Sequence, residues 1–194
     1  MVPIKRAEWG KSRLVPPPGV TRPELARAMA CDALSVAAQV LGGGAVLVVT
    51  SDEPMREYAK SLSMATLSDP GGGLNAAISA GLALAQSPAL AVLLPDVPAL
   101  KTHELHRALQ RSATHCVALV ADHSTSGTCL LTSTEGTLLP QFGADSARRH
   151  QDVLDAALLG VYAPGLRQDV DTAEDLTSAV SLGVGPATRA LLER

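Results

Sequence analysis

Short apolar runs alternate along the chain with longer stretches in which apolar residues recur at helical spacing. A brief apolar run that stops at proline, glycine or a polar residue is typical of a strand buried in a parallel sheet. The alternation predicts an α/β fold, specifically a three-layer α/β/α sandwich with a mainly parallel sheet. The predicted strands are residues 2–4, 45–50, 65–67, 90–94 and 117–121, and the predicted helices are residues 21–41, 51–63, 74–85 and 183–192.

The composition favours one domain and argues against several kinds of partner. A chain of 194 residues predicts a single domain over residues 1–194 with a full core. A net charge of −3 and 2% aromatic residues argue against a nucleic-acid surface. No apolar run approaches the ~20 residues of a membrane span, and no signal-peptide core is expected near Met1. Three cysteines without CxxC spacing predict reduced thiols in a cytoplasmic protein. A homo-oligomer is possible, and the sequence does not determine the oligomeric state.

The predicted central strand, residues 90–94, runs directly into Pro95-Asp96-Val97-Pro98. In open α/β sheets, ligands bind beyond the carboxyl ends of the strands, which is where Asp96 is expected. The flanking prolines stiffen the backbone around this carboxylate, so Asp96 is suited to hold a hard cation such as Mg²⁺ beside a phosphate. The alternative is that Asp96 only caps the turn that follows the strand.

A second acidic stretch lies near the end of the chain, in residues 167–176. Its pattern predicts a strand with Asp169 and Asp171 on one face, followed by a helix. One of these two carboxylates would complete a divalent-cation site with Asp96. Asp171 or Thr172 is equally suited to be the helix N-cap. Because one residue can cap while the other binds metal, the two interpretations are compatible.

Two loops have the composition expected around a triphosphate. The first carries Lys5, Lys11 and Arg13, although its spacing is not that of a P-loop and a solvated basic loop is the alternative. The second is the glycine run 71–73, which leads into a helix and lets backbone N–H groups approach a ligand closely. A flexible connector would explain the glycines as well. Asn75 could contact a base or ribose there, or could simply be an early helix residue.

Two further loops offer hydroxyl and N–H groups to an anion. The first ends in Ser126-Gly127-Thr128. The second, residues 142–146, contains Gly143 and leads into a helix bearing two arginines and His150. Ser146 would direct its N–H and hydroxyl toward an anion at the start of that helix. Taken singly, each loop could instead be an ordinary cap.

Five fragments, in this order, resemble one protein family. They are the basic K-S-R-L loop, L-P-D-V-P, S-G-T, F-G-x-D-S and D-V-D-T-x-x-D-L, and the similarity extends over essentially the whole chain. The chain resembles the guanylyltransferases that make the deazaflavin coenzyme F-420, within the nucleotide-diphospho-sugar transferase-like nucleotidyltransferases. It is most similar to actinobacterial members, whose acceptor is phosphoenolpyruvate, whereas archaeal members use 2-phospho-L-lactate.

The resemblance implies an Mg²⁺-dependent guanylyltransferase whose substrates are GTP and a small phosphorylated carboxylic acid, with pyrophosphate as the second product. It also implies roles for individual residues. The implied metal ligands are Asp96 and Asp169, with Asp171 as the alternative to Asp169. The implied acceptor-binding residues are Thr128, Gly143 and Ser146. The implied nucleotide-binding residues are Lys5, Lys11, Arg13 and Asn75, and the implied catalytic residues are Asp96, Asp169 and Lys11.

Two other functions stay open at the level of the sequence. One is a cytidylyl or molybdopterin-type nucleotidyltransferase on the same fold, although the F-G-x-D-S loop favours a small acidic acceptor. The other is a non-catalytic nucleotide-binding or interaction module, because a fold alone does not determine a function. An assay of pyrophosphate release with a panel of nucleoside triphosphates distinguishes the other nucleotidyltransferases from a guanylyltransferase. Mg²⁺-dependent turnover distinguishes an enzyme from a non-catalytic module.

Overall fold

A computed structural model describes residues 1–5 and 14–194 of the chain. Within those ranges the chain forms seven strands, eight α-helices and one 3-10 turn at Gly43–Ala45, and the elements expected up to residue 121 are present with small shifts at their ends. The strands are β1 (Val2–Ile4), β2 (Leu47–Thr50), β3 (Ala65–Leu67), β4 (Leu90–Leu93), β5 (Val117–Ala121), β6 (Thr128–Ser133) and β7 (Ala157–Leu158). The helices are α1 (Arg22–Leu41), α2 (Glu53–Ser61), α3 (Leu74–Leu82), α4 (Thr102–Ser112), α5 (Ser146–Leu154), α6 (Pro164–Arg167), α7 (Ala173–Leu182) and α8 (Pro186–Leu192).

The described strands form two sheets that meet at Met1. One sheet has the order β1-β2-β3 and is parallel, and the other has the order β4-β6-β5-β7. The amino group of Met1 donates to the carbonyl oxygen of Ala91 at 2.6 Å, and the Met1 carbonyl accepts the Leu93 N–H at 3.1 Å. The order across the molecule is therefore β3-β2-β1-β4-β6-β5-β7. Only β6 runs antiparallel to its neighbours, which confirms the predicted, mainly parallel sheet.

Neighbouring residues of the central strands point into different cores, as the alternation of side chains across a strand requires. On β4, Leu93 packs in a cluster with α1, α2 and α4, whereas Val92 packs in a second cluster with α3 and α5. On β5, Val120 and Leu119 are divided in the same way. Helices thus cover both faces of the sheet, and the predicted three-layer α/β/α sandwich is confirmed.

The two ends of helix α1 are determined by its capping residues. The Thr21 hydroxyl accepts the Glu24 N–H at 3.4 Å, and the Glu24 carboxylate accepts the Thr21 N–H at 2.9 Å, which is a capping box. Gly42 follows the last turn with φ of 76°, a conformation that glycine adopts without strain. The buried face of α1 consists of Leu25, Met29, Ala30, Asp32, Ala33, Leu34 and Ala37.

The strand predicted around Asp169 and Asp171 is wrong. Pro164 begins the short helix α6, and the chain from residue 168 to residue 172 belongs to no strand. Val170 is the one apolar residue in that stretch, which is too few to build a buried strand. The Val170 N–H nevertheless donates to the Asp96 carbonyl oxygen at 3.0 Å, so the segment still runs beside the end of β4.

The C-terminal helix α8 is held on α1 by a buried carboxylate. Asp32 is 3% exposed, and its two oxygens accept the N–H groups of Ala187 and Thr188, each at 2.9 Å. These are first-turn N–H groups of α8, which the helix itself cannot pair. A Cβ at Gly185 would lie 2.5 Å from one Asp32 oxygen, so only glycine allows this close approach.

We expect Asp32→Ala to lower the free energy of unfolding by about 2–3 kcal/mol, because two N–H groups would lose a charged, buried acceptor. Asp32→Asn keeps one acceptor oxygen and should lose roughly half as much. Urea unfolding measures both values. The surface variant Asp152→Asn serves as the control, and a loss below ~0.5 kcal/mol for Asp32→Ala would contradict the assigned role.

Two features bear on the environment of the protein. Cys31, Cys116 and Cys129 are all free thiols. Among the helices of residues 1–5 and 14–194, none combines the length and the apolar character needed to cross a membrane.

Candidate active site

The end of β4 and the segment that follows α6 meet beside Asp96. β4 ends at Leu93, and the proline-flanked turn carries Asp96 just beyond the sheet edge. The hydrogen bond from Val170 to the Asp96 carbonyl places the preceding residue, Asp169, within range of the Asp96 charge. The structure therefore brings Asp96 and Asp169, two acids that lie far apart in the sequence, into electrostatic range of each other.

Asp169 lies in an unusually negative environment. Burial, followed by the charges of Asp96, Asp122 and Asp171, raises the pKa of Asp169 to about 6 from an ordinary 3.8. A hydrogen bond from His123, whose Nδ1 lies 3.3 Å from Asp169 Oδ1, partly offsets this effect. Crowded, partly buried carboxylates of this kind are typical of functional sites, because a bound cation relieves their repulsion.

The donor set fits a hard divalent cation that is shared with a ligand. Mg²⁺ prefers carboxylate oxygens, and it usually takes one or two protein carboxylates together with phosphate oxygens and water. In the part of the chain that the structure describes, no group of three or more His, Cys, Asp or Glu side chains could hold a metal. Asp96 and Asp169 could supply the two carboxylates of such a shared site.

Of the two N-cap candidates for α7, Thr172 is the cap. Its hydroxyl accepts the Asp175 N–H at 3.2 Å, and the Asp175 carboxylate accepts the Thr172 N–H at 2.8 Å. The backbone N–H of Asp171 donates to the same carboxylate at 3.1 Å. Asp171 thus lies just outside the helix, where its charge acts on Asp169.

Asp122 is a third acid of the site that the sequence analysis missed. It follows β5 and is 7% exposed, and it folds the loop that leads back to β6. Its Oδ1 accepts the Ser126 N–H at 3.0 Å and the Ser124 hydroxyl at 2.9 Å, and its Oδ2 accepts the Gly127 N–H at 2.8 Å. An aspartate closely followed by a run of Ser, Thr and Gly is the signal for such a turn, and here only His123 lies between them.

The three predicted acceptor residues come together across two loops. Thr128 begins β6, Ser146 begins α5, and the Ser146 hydroxyl donates to Thr128 Oγ1 at 3.2 Å. The Ser146 N–H donates to the Gly143 carbonyl at 3.2 Å, and the Ala147 N–H donates to the Ser126 carbonyl at 3.0 Å. These bonds tie the loop before α5 to the loop before β6.

Behind this hydroxyl pair lies His150, to which the sequence analysis gave no function. His150 is fully buried on α5, with Nδ1 3.0 Å from Thr128 Oγ1 and with Nε2 accepting the Gln141 N–H at 3.0 Å. Burial, followed by the charge of Arg149, lowers the pKa of His150 to about 4, so the ring is neutral at pH 7. Because the contact joins β6 to α5, no local spacing could reveal it.

Two arginines bring positive charge to the same loops. A Cβ atom added to Gly143 would lie 2.9 Å from Arg149 Nη2, so this arginine packs closely against the glycine. Gly143 also has φ of +127°. Arg167 donates from Nε to the Ala121 carbonyl at 3.1 Å and from Nη2 to the Asp122 carbonyl at 2.8 Å. Arg149 is exposed, whereas Arg167 is partly buried and fixes the end of β5.

The predicted nucleotide-binding side lies partly within the described residues. Lys11 and Arg13 lie outside them. Lys5 directly follows β1 and is exposed. Because Met1 pairs with β4 in parallel, Lys5 emerges at the same sheet edge as Asp96.

The glycine run before α3 has the conformation that only glycine adopts readily. Gly71, Gly72 and Gly73 have φ of 82°, 80° and 94°. Gly73 is the N-cap of α3 and has no side chain to cap the first-turn N–H groups, which can therefore face an anionic ligand.

Asn75, in the first turn of α3, holds the loop that carries Gly143. Its Nδ2 donates to the Phe142 carbonyl at 3.0 Å, and its Oδ1 accepts the Phe142 N–H at 2.9 Å. The side chain therefore has a positioning contact that the sequence analysis did not anticipate. Direct contact of Asn75 with a nucleotide stays a prediction.

Comparison with known proteins points to one family. A family model described as "Guanylyl transferase CofC like" matches residues 1–194. A protein of Geodermatophilus obscurus named phosphoenolpyruvate guanylyltransferase is 40% identical over 199 residues, covering 99% of this chain and 92% of the relative. A protein of Nocardia farcinica with the same name is 40% identical over 205 residues, covering 99% of this chain and 89% of the relative.

The fold also matches a solved structure. A crystal structure of a Desulfovibrio desulfuricans G20 protein, assigned as a nucleotide-diphospho-sugar transferase, superposes with a TM-score of 0.66. The match covers 99% of this chain and 92% of that chain at 16% identity. At this identity the likeness shows the fold alone, and it confirms the predicted nucleotide-diphospho-sugar transferase-like architecture.

Proposed function

The chain belongs to the family of CofC-like guanylyl transferases, and we propose that it joins the guanylyl group of GTP to phosphoenolpyruvate. The products are enolpyruvoyl-diphospho-guanosine and pyrophosphate. The names of relatives that are 40% identical over nearly their whole length support this acceptor. The family resemblance assigns the reaction to the biosynthesis of coenzyme F-420, with 2-phospho-L-lactate as the alternative acceptor.

One observation carries the proposal: a cluster of acidic residues and a pair of hydroxyl-bearing residues lie on connected loops at one edge of the sheet. Asp122 joins them, because its charge acts on Asp169 while its carboxylate binds the backbone of Ser126 and Gly127. The next residue is Thr128, whose hydroxyl pairs with Ser146. A triphosphate at the acids and a small anion at the hydroxyls would therefore be neighbours.

The proposed reaction requires placement more than proton transfer. A phosphate oxygen of the acceptor forms a bond to the α-phosphorus of GTP, the bond from that phosphorus to the bridging oxygen breaks, and pyrophosphate leaves with the electron pair. The attacking oxygen is already anionic, so no general base is needed. Burial raises the pKa of Cys129, the thiol nearest the acids, well above its ordinary value, so that thiol is no nucleophile at pH 7.

The negative charge of the phosphate that is transferred has to be neutralised. We assign this task to two sets of residues, the metal ligands and the basic loop. Asp96 and Asp169 would hold Mg²⁺, which when bound neutralises phosphate charge and aligns the reacting groups. Lys5, Lys11 and Arg13 would contribute positive charge from the basic loop. In the alternative assignment, Asp171 replaces Asp169 as the second metal ligand beside Asp96.

The acceptor would be bound mostly by dipoles. Thr128 and Ser146 offer hydroxyl groups, Gly143 keeps the loop open beside the Arg149 guanidinium, and Arg149 supplies positive charge. This donor set suits a compact molecule that carries a phosphate and a carboxylate close together. It does not by itself distinguish phosphoenolpyruvate from 2-phospho-L-lactate.

The test is an assay of the purified chain with GTP, Mg²⁺ and either acceptor, with products identified by mass. We expect pyrophosphate release and guanylylated phosphoenolpyruvate, with little turnover of ATP, CTP or UTP. Preference for CTP would favour the cytidylyl alternative, and transfer to a pterin would favour the molybdopterin type. Absence of turnover with every triphosphate and acceptor would leave a non-catalytic nucleotide-binding module.

We expect Ser146→Ala to raise the KM for phosphoenolpyruvate by roughly tenfold, because it breaks the Ser146–Thr128 hydroxyl pair that would present a proton to the charged acceptor. The KM for GTP should change by less than about twofold, since Ser146 lies on the acceptor side of the site. Steady-state kinetics in both substrates measures this difference, with the exposed Ser61→Ala as the control. A larger rise in the KM for GTP would count against the acceptor loop.

We also propose that the protein acts in the cytoplasm, which its three free thiols support. Homo-oligomer formation stays a prediction, and light scattering of the purified chain tests it.

A further inference from the structure

His150 has a hydrogen-bonding arrangement that permits only one protonation state. The Gln141 N–H can only donate, and it lies 3.0 Å from His150 Nε2, so that nitrogen has to be the acceptor. The single ring proton of the neutral imidazole is then on Nδ1, 3.0 Å from Thr128 Oγ1. A protonated ring would place two N–H groups against each other at Gln141.

A turn of the ring would break both hydrogen bonds inside a buried site. His150 is fully buried, and its ring packs edge-on against Phe142 with centroids 4.8 Å apart. Phe142 is itself fixed at its backbone by the two hydrogen bonds to Asn75. Burial and the neighbouring Arg149 charge keep the pKa of the ring low, which preserves the neutral form.

The protons of this network can be counted. His150 Nδ1–H donates to Thr128 Oγ1, and the Thr128 and Ser146 hydroxyls, 3.2 Å apart, share one further proton between them. Three donor protons therefore serve two internal hydrogen bonds. One hydroxyl proton is left over whichever way the Thr128–Ser146 bond runs, and a ligand anion can accept it.

We propose that His150 is a positioning residue for the acceptor, which orients the Thr128 and Ser146 hydroxyls so that one O–H is directed at the acceptor's phosphate or carboxylate. The inference rests on the proposed function, because it assumes that these hydroxyls bind the acceptor. His150 itself touches neither substrate. Its donated proton occupies one lone pair of Thr128 Oγ1, which leaves one hydroxyl proton of the Thr128–Ser146 pair for the ligand.

Two amide variants separate the two halves of this role. In His150→Asn the amide reaches the position of Nδ1, so a donor to Thr128 is retained and the acceptor for Gln141 is lost. In His150→Gln the amide reaches the position of Nε2, so the acceptor for Gln141 is retained and the donor to Thr128 is lost. Asparagine is the smaller side chain and leaves the larger void, so a loss of packing alone would impair His150→Asn at least as much as His150→Gln.

We expect His150→Gln to raise the KM for phosphoenolpyruvate at least tenfold, whereas His150→Asn should raise it less than about threefold. The KM for GTP should stay within about twofold in both variants. Equal effects of the two variants, or parallel rises in both KM values, would overturn the proposal, because a merely structural histidine would give that result.

A measurement on the wild-type protein covers the case in which neither variant folds. Long-range ¹⁵N–¹H spectra of ¹⁵N-histidine-labelled protein at pH 7 should assign His150 as the tautomer with the proton on Nδ1. The other tautomer, or a charged ring, would overturn the proposal. If the wild-type protein transfers nothing to phosphoenolpyruvate or 2-phospho-L-lactate, the proposed function fails, and the tautomer result shows separately whether the network exists.

Discussion

We expect Asp96→Asn to lower kcat/KM for guanylyl transfer by roughly a thousandfold, or ~4 kcal/mol of transition-state stabilisation. The amide keeps the size of the side chain but loses the negative charge that would hold a divalent cation. The hydrogen bond from Val170 is made to the Asp96 backbone, so it survives the substitution and the fold should be unchanged. Steady-state rates in saturating Mg²⁺, together with the circular dichroism spectrum, measure both expectations.

Asp152→Asn is the matched control for this experiment. It makes the same change of charge at an exposed position on α5, where the carboxylate forms a surface ion pair with Arg148. Its activity should match that of the unaltered protein within about twofold, since exposed pairs contribute little. Guanylyl transfer by Asp96→Asn within tenfold of the unaltered rate would remove Asp96 from the metal site.

Asp169→Asn should likewise reduce transfer by roughly a thousandfold, but it should stabilise the protein in the absence of metal. Burial and the charges of Asp96, Asp122 and Asp171 raise the pKa of Asp169 to about 6, which means that its charge is costly in the folded state. The shift corresponds to ~3 kcal/mol, and partial exposure to solvent reduces the expected gain to about 1–2 kcal/mol.

The pH dependence of this gain has a definite sign. Above pH 6 the carboxylate is charged in the folded protein, so the gain from asparagine should be complete there. As the pH falls through 6, the folded state takes up a proton and the repulsion is relieved. The difference in unfolding free energy should therefore shrink as the pH falls below 6 and vanish only below about pH 3, where the unfolded chain is protonated as well.

Thermal and urea unfolding at several pH values, without metal, test this prediction. Asp171→Asn is the comparison variant, because it removes a neighbouring charge without removing the assigned ligand. It should keep most of the activity. Loss of activity in Asp171→Asn with retention in Asp169→Asn would transfer the metal role to Asp171.

Local signals in the sequence were sufficient for most of the fold. The capping box at Thr21, the glycines from Gly42 and the proline-closed run before Asp96 each determine the boundary of an element through the conformation of a few adjacent residues. The layer order then follows, because buried apolar strands that alternate with helices pack in only a few ways.

The errors lie where structure depends on distant partners. The stretch around Asp169 shows alternating acids typical of an exposed strand, yet one backbone hydrogen bond to Asp96 places it without any strand pairing. Strand β6 was not predicted as such, because its place depends on antiparallel pairing with both β4 and β5. Local propensity carries no information on these tertiary contacts.

The candidate site shows the same division. Asp96, Thr128 and Ser146 could be proposed from loop composition and family resemblance, and the structure brings Thr128 and Ser146 into hydrogen-bonding contact. His150 could not be proposed, because it acts through Thr128 on another element, and the effect of Asp122 on Asp169 depends on a contact between segments far apart in the chain. Asn75 was expected at a nucleotide, whereas its visible contact is with the backbone of Phe142.

The most direct test of the shared cation site is a crystal of the protein grown with GTP and Mn²⁺, measured near the manganese absorption edge. Anomalous scattering locates manganese independently of any assumption about its ligands. We predict one manganese peak in contact with carboxylate oxygens of both Asp96 and Asp169 and with a phosphate oxygen of GTP. Manganese that is bound to the triphosphate but lies away from both carboxylates would contradict the site and the mechanism built on it.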